Sequence, residues 1–231
     1  MLEQVLNYER ELFFILNGSE CKVLDYFLWL VSDKLIWIPW IICVLFILCY
    51  KKDWKETLLI IIAIALVITI ADQVASGLFK PFFQRFRPTH HPDFMNDVKI
   101  LFNYRGGRYG FASSHASNAF GVATFTALLF RNRFFSITIF VFAMLNGYSR
   151  VYLGVHFISD IVVGAMIGIA AAYICYQLYL FCRKQIFKVE KPQLKIPIYS
   201  SKEVNIISSG FWVTMLAILI LDNQLVIILA R

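Results

Sequence analysis

Residues 57–79, TLLIIIAIALVITIADQVASGLF, form an apolar run interrupted by a single acid, Asp72. About 20 such residues cross a hydrocarbon core as a helix, because lipid offers the backbone no other hydrogen-bond partner. Further apolar runs lie at 35–50, 114–130, 134–149, 158–181 and 208–230. The two shortest reach across by tilting or by recruiting flanking apolar residues. Composition agrees: 59% of residues are hydrophobic and 16% charged, with mean hydropathy +0.67, whereas soluble domains carry about 25% charge. The expectation is an all-α, polytopic membrane bundle of about six transmembrane helices, forming one domain over 33–231.

Residues 1–32 read differently. Leu2, Val5, Leu6, Tyr8, Leu12, Phe13 and Leu16 alternate with Glu3, Gln4, Glu9, Arg10 and Glu11. That pattern predicts an amphipathic helix on the membrane surface, ending at the Asn17-Gly18 turn. A span over about 23–50 is the alternative, although Ser32-Asp33-Lys34 interrupts it. The start lacks a basic segment followed by a continuous apolar core, so no cleavable signal peptide is expected. Cys21, Cys43, Cys49, Cys175 and Cys182 form no CxxC pair and read as small hydrophobes without a metal or redox role.

The net charge is +7. Basic cytoplasmic loops explain part of such an excess, and an anionic ligand is the other explanation. No basic stripe with interleaved aromatics lies outside the apolar segments, so nucleic acid is not an expected partner. Two polar loops, 80–112 and 183–207, are both basic. Lys and Arg residues tie at eleven on each side of the membrane. Setting aside Lys80, Arg87 and Arg150 as ligand-holding residues gives eleven against eight, which places the 80–112 loop outside the cytoplasm.

Three polar stretches interrupt this apolar chain where charge is costly. In SRVYLGVHFISD, His156 and Asp160 are one helical turn apart and share a face. A carboxylate on one imidazole nitrogen fixes the tautomer and leaves the other nitrogen free to attack an electrophile. The pair would serve equally as a plain helix-end contact. Arg150 precedes His156 across Gly154, a spacing suited to a turn that returns a guanidinium to the imidazole. Its planar donors match phosphate oxygens, and its other use is snorkelling to headgroups.

In KPFFQRFRP, Lys80 and Arg87 are two helical turns apart, and headgroup contact is again the competing use. In YGFASSHASNAFG, Ser113, Ser114 and His115 stand where a loop enters an apolar run. Backbone N–H groups at a helix start bind anions, Ser113 or Ser114 would also cap the helix, and His115 is placed to protonate a leaving oxygen.

Together these stretches resemble the signature of the type 2 phosphatidic acid phosphatase superfamily: K-x6-RP, PSGH and SR-x5-H-x3-D. Lys80 to Arg87-Pro88 and Ser149-Arg150 to His156 to Asp160 match throughout, while Ala112 and Ser114 replace the proline and glycine of the second motif. Ser114 adds a Cβ where a phosphate would approach closely. The resemblance implies metal-independent, cofactor-free hydrolysis of a lipid phosphate through a phosphohistidine on His156, with Asp160 orienting it and His115 as acid. Lys80, Arg87, Ser113, Ser114 and Arg150 would hold the phosphoryl group. A metal on the His/His/Asp set is the competing arrangement, opposed by the cations around it.

The expected protein is thus a multi-pass enzyme of the bacterial inner membrane with its site facing outward. Undecaprenyl diphosphate is the first expected substrate; phosphatidylglycerol phosphate and lipid A phosphates are alternatives, as is a lipid phosphotransferase. A transporter of anionic lipid would place charge at mid-span, where only Asp72 and Asp222 lie. His90 and His91, with Arg105 and Arg108, fall outside the signature and read as exposed loop residues.

Overall fold

The computed structural model describes residues 2–189, 194 and 196–229. It contains helices and one isolated bridge, Phe86 to Tyr109, with no strand among the described residues. Helix α1 is Leu2–Asn17 and α2 is Lys22–Ser32. A 3-10 turn, Leu35–Trp37, leads into α3, Ile38–Cys49. Helix α4, Trp54–Asp72, runs through a π-helical stretch, Gln73–Phe79, into α5, Lys80–Phe83. After the long loop come α6 (Ser114–Phe130), α7 (Arg133–Tyr152), α8 (Ile158–Phe187) and α9 (Ser201–Leu229).

Local chemistry sets several of these boundaries. Asp53 accepts from Lys55 N, Asn132 from Phe135 N and Ser113 from Ala116 N, each satisfying an N–H that its helix start leaves unpaired. Gln84, Arg131 and Lys188 adopt left-handed conformations that close the ends of α5, α6 and α8.

Among the described residues, four helical stretches are long and apolar enough to cross a membrane: Trp54–Phe83, Arg133–Tyr152, Ile158–Phe187 and Ser201–Asp222. Helices α2 and α3 qualify together as one path bent by 73°. Helix α6 is shorter, at 17 residues, but it occupies the middle of the bundle, packed by α4, α7 and above all α8. Apolar side chains such as Ile62, Met166, Ile174 and Ile220 point outward, as a lipid-facing surface requires. The protein is a multi-pass membrane protein, with the all-helical architecture expected.

Residues 1–32 do not form one surface segment. Helix α1 is the amphipathic N-terminal helix expected, with Tyr8 and Ile15 exposed and Phe13 fully buried. Helix α2 belongs to the bundle: Leu28, Leu30 and Val31 are buried against α7 and α9. The Ser32-Asp33-Lys34 interruption is real, because Asp33 is extended and its carboxylate accepts from Leu35 N. It bends the path rather than ending it.

The approach of α6 to α8 depends on glycine. A Cβ at Gly168 would lie 2.0 Å from the Ser117 carbonyl oxygen, and one at Gly164 would lie 2.4 Å from that of Ser113. Only hydrogen fits at either position, and the contact draws the start of α6 against the start of α8. At the opposite end of the bundle, Glu56 on α4 pairs with Arg183 on α8 at 2.9 Å and accepts from the Tyr179 hydroxyl at 2.8 Å.

Candidate active site

At the start of α8, Asp160 is fully buried. One carboxylate oxygen accepts from Phe157 N at 3.0 Å and lies 3.2 Å from His156 Nδ1. The helix cap and the imidazole contact therefore share one oxygen, so the fold of this corner also aims the ring. His156 is likewise 0% exposed, and its Nε2 has no hydrogen-bond partner among the described residues. Burial, followed by the charges of Arg87, Arg150 and Lys80, holds the His156 pKa well below its ordinary value, against the opposing pull of the Gly110 backbone. The site thus contains a neutral imidazole, oriented at Nδ1 and unengaged at Nε2.

The cations come from three elements. Lys80 opens α5, where its ammonium donates to Ser76 at 2.9 Å and Ser114 at 3.2 Å. Ser76 in turn lies 3.5 Å from Asp72. Asp72, the acid that interrupts the apolar run of residues 57–79, thus stands one helical turn from Ser76 and two from Lys80. Arg87 donates through Nε to the Tyr109 carbonyl at 3.1 Å and through its backbone to Arg108. These bonds, with Gly110 N to Arg85 O at 2.9 Å, fold the 84–112 loop back on itself. Arg150, 2% exposed at the end of α7, donates to Ser32 and to the Tyr104 hydroxyl, the latter at 2.6 Å.

Ser113 caps α6 and donates its N–H to the Asp160 carbonyl at 3.0 Å, joining the second and third motifs directly. Ser114, where the family pattern has glycine, offers its hydroxyl to Lys80. His115 lines two adjoining cavities. One, of about 490 Å³, is also lined by Arg150, Tyr104, Ser32 and Lys34. The other, of about 500 Å³, is walled by apolar residues including Trp37, Trp40, Ile41, Ile68 and Phe142. Ser32, Asp33 and Lys34 border both, so the bend between α2 and α3 marks where the polar chamber meets the apolar one.

Residues 56–184 match the family model described as PAP2 superfamily. The chain belongs to the PAP2 superfamily. A lipid A 4'-phosphatase of Porphyromonas gingivalis is 41% identical over 228 residues, covering 99% of this chain and 97% of that one. An undecaprenyl-diphosphatase of Sulfolobus acidocaldarius is 26% identical over 181 residues, 76% of this chain and 81% of that one. The crystal structure of Aquifex aeolicus LpxE superposes with a TM-score of 0.54 at 27% identity, covering 72% of this chain and 93% of the other. As a PAP2 protein, this chain is a membrane lipid phosphatase.

The three PAP2 motifs converge on one corner, and further residues join them that their spacing did not reveal. Arg85, inside the first motif but at an unassigned position, donates to Asp160 at 3.0 Å. Glu9 pairs with Arg85 at 2.6 Å. Tyr104 and Ser32 hold Arg150. Their one sequence signal is the first of the two arginines in QRFRP, Arg85. His90 and His91 border neither cavity: His90 contacts Thr89, and His91 stacks on Phe94 at 4.0 Å between centroids. Arg105 donates to the Thr89 carbonyl, and Arg108 lies over Phe86 and Tyr109.

Proposed function

We propose that the protein hydrolyses a phosphomonoester on the sugar headgroup of a lipid A-type lipid. For this substrate the near full-length, 41% likeness to a lipid A 4'-phosphatase is the carrying observation. Undecaprenyl diphosphate, the first expectation, has weaker support, since that relative shares 26% identity over three-quarters of the chain.

The chemistry rests on a neutral, buried imidazole with one engaged nitrogen. His156 Nε2 attacks phosphorus, a P–N bond forms, and the P–O bond to the sugar breaks. His115 delivers its proton to the departing oxygen. Water then attacks the phosphohistidine, His115 takes the water proton, and the P–N bond breaks to release inorganic phosphate. Lys80, Arg87 and Arg150 offset charge on the equatorial oxygens, with the unpaired N–H groups at the start of α6 and the Ser113 and Ser114 hydroxyls as further donors. Loss of one such donor is expected to lower kcat by about 10²–10³-fold.

The enzyme sits in a bacterial inner membrane with the site facing outward, a reading supported by the eleven-to-eight distribution of basic residues once Lys80, Arg87 and Arg150 are set aside. A cysteine replacing the exposed Asp93, with the native cysteines removed, should react in intact cells with a maleimide that cannot cross the inner membrane. Protection until that membrane is broken would reverse the orientation.

The deciding experiment measures phosphate release by detergent-purified protein from lipid A, undecaprenyl diphosphate and phosphatidylglycerol phosphate, with mass spectrometry locating the phosphate removed. Turnover should be highest on lipid A and lost in His156→Ala. Faster turnover of undecaprenyl diphosphate would overturn the substrate reading, and activity surviving in His156→Ala would overturn the nucleophile.

A further inference from the structure

Arg85 binds carboxylates on both of its terminal nitrogens. One donates to Asp160 Oδ1 at 3.0 Å and to the Ser159 hydroxyl at 2.6 Å; the other donates to Glu9 Oε2 at 2.6 Å. Glu9 places its second oxygen 2.7 Å from Ser159 N, the first turn of α8. The Arg85 guanidinium also lies 4.3 Å above the Phe157 ring centroid, within cation–π range. It is held from three sides, by α1, by Phe157 and by the start of α8.

The dock of α1 extends beyond this contact. Phe13 is fully buried and packs edge-on against Phe157, and Phe94 closes the same cluster. At its far end, Asn17 donates to the Tyr152 carbonyl at 2.7 Å and the Lys99 carbonyl at 3.0 Å. An interfacial helix needs only an apolar face and a polar face. Here its polar face meets the two residues that flank Asp160, and its buried phenylalanine supports the ring beneath Arg85.

The other cations are differently placed. Lys80 is engaged by Ser76 and Ser114, Arg87 by Tyr109, and Arg150 by Ser32 and Tyr104. Arg85 alone among the described residues forms a salt bridge to the Asp160 carboxylate apart from His156 itself. Asp160 supplies one oxygen to His156 and the cap; Arg85 occupies the other.

We propose that Glu9 and Arg85 act as positioning residues that hold the Asp160 carboxylate aimed at His156, making the N-terminal helix part of the nucleophile's support. The proposal rests on His156 being the nucleophile, as argued above. A neutral side chain at position 85 would leave a fully buried carboxylate whose one remaining partner outside its own corner is lost. A neutral side chain at position 9 would leave Arg85 with Asp160 as its one carboxylate. The two changes therefore act on Asp160 in opposite senses. The charged and titratable groups around it are His156 at the corner, Arg85 and Arg87 from the loop, Lys80 on α5 and, beyond Arg85, Glu9 on α1.

The test compares full-length wild type, Arg85→Gln, Arg85→Lys and Glu9→Gln, purified in detergent, for kcat, KM and the pH dependence of kcat. Arg85→Gln should lower kcat by at least about tenfold, short of the ~10⁴-fold that loss of an orienting aspartate costs, while KM changes less than twofold. Its acid limb should move to higher pH, and Arg85→Lys should restore part of both. Glu9→Gln should move the limb to lower pH. A pH-independent loss in all variants, or limbs that coincide with wild type, would overturn the relay. Acid-labile phosphoenzyme is read in the same samples: its absence from wild type counts against His156 as nucleophile, whereas its presence with unmoved limbs overturns the relay alone. Should Arg85→Gln fail to fold, the direction of the Glu9→Gln shift decides.

Discussion

A histidine buried near Lys80, Arg87 and Arg150 stays uncharged at neutral pH, and keeping it so has a thermodynamic cost at lower pH. The unfolded chain binds a proton on His156 near pH 6.5, while burial and then the neighbouring cations prevent the folded chain from doing so. The folded value is the lower one, so stability is level above about pH 6.5 and falls beneath it, by at most about 1.4 kcal/mol per pH unit from this group. Thermal unfolding in detergent at pH 7 and pH 5 should show a smaller acid loss in His156→Gln than in wild type. Equal losses would mean that the ring titrates freely in the folded protein. The pairing of His156 with Asp160 was legible from a four-residue spacing, although His156 precedes the helix, which begins at Ile158, and the contact is made through the Asp160 cap on Phe157 N rather than along a helix face. The partner of Arg85 was not, since 75 residues separate it from Asp160 and no local period encodes such a contact.

Among the elements, the seam between α6 and α8 carries the motif carrying Ser113 and His115 to the one carrying His156. Gly168 faces backbone atoms there, and backbone cannot move aside as the end of a side chain can. Gly168→Ala should therefore separate the helices, lower the melting temperature through overpacking worth about 1–3 kcal/mol, and reduce kcat by displacing the start of α6. Gly210→Ala on α9 is the control, because its Cβ would meet nothing closer than 3.6 Å. Equal behaviour of the two variants would remove the seam from the account. The extent of α6 was readable as residues 114–130, since Ser113 caps it and no proline, acid, lysine or arginine interrupts it before Arg131. The path of α2 into the bundle was not, because Ser32-Asp33-Lys34 gives a bend and a true stop the same polar signature. Only packing against α7 and α9 separates those two outcomes.

For the molecule as a whole, a chamber lined by His115, Arg150 and Tyr104 adjoins an apolar chamber, and the two meet at the 73° bend between α2 and α3. The class of architecture followed from hydropathy alone, and the proposed reacting groups followed from three short motifs. The bend, the chambers and the docking of α1 depend on contacts between segments far apart in the chain, which explains why neither composition nor spacing announced them. If the lipid enters through that junction while its chains stay in the leaflet, the search for substrate is two-dimensional. Velocity in mixed micelles should then follow the mole fraction of lipid within the surface, not its amount per volume of solution. Adding neutral detergent at constant total substrate should slow the enzyme in proportion to dilution of the surface. An unchanged rate would mean that the substrate arrives through water.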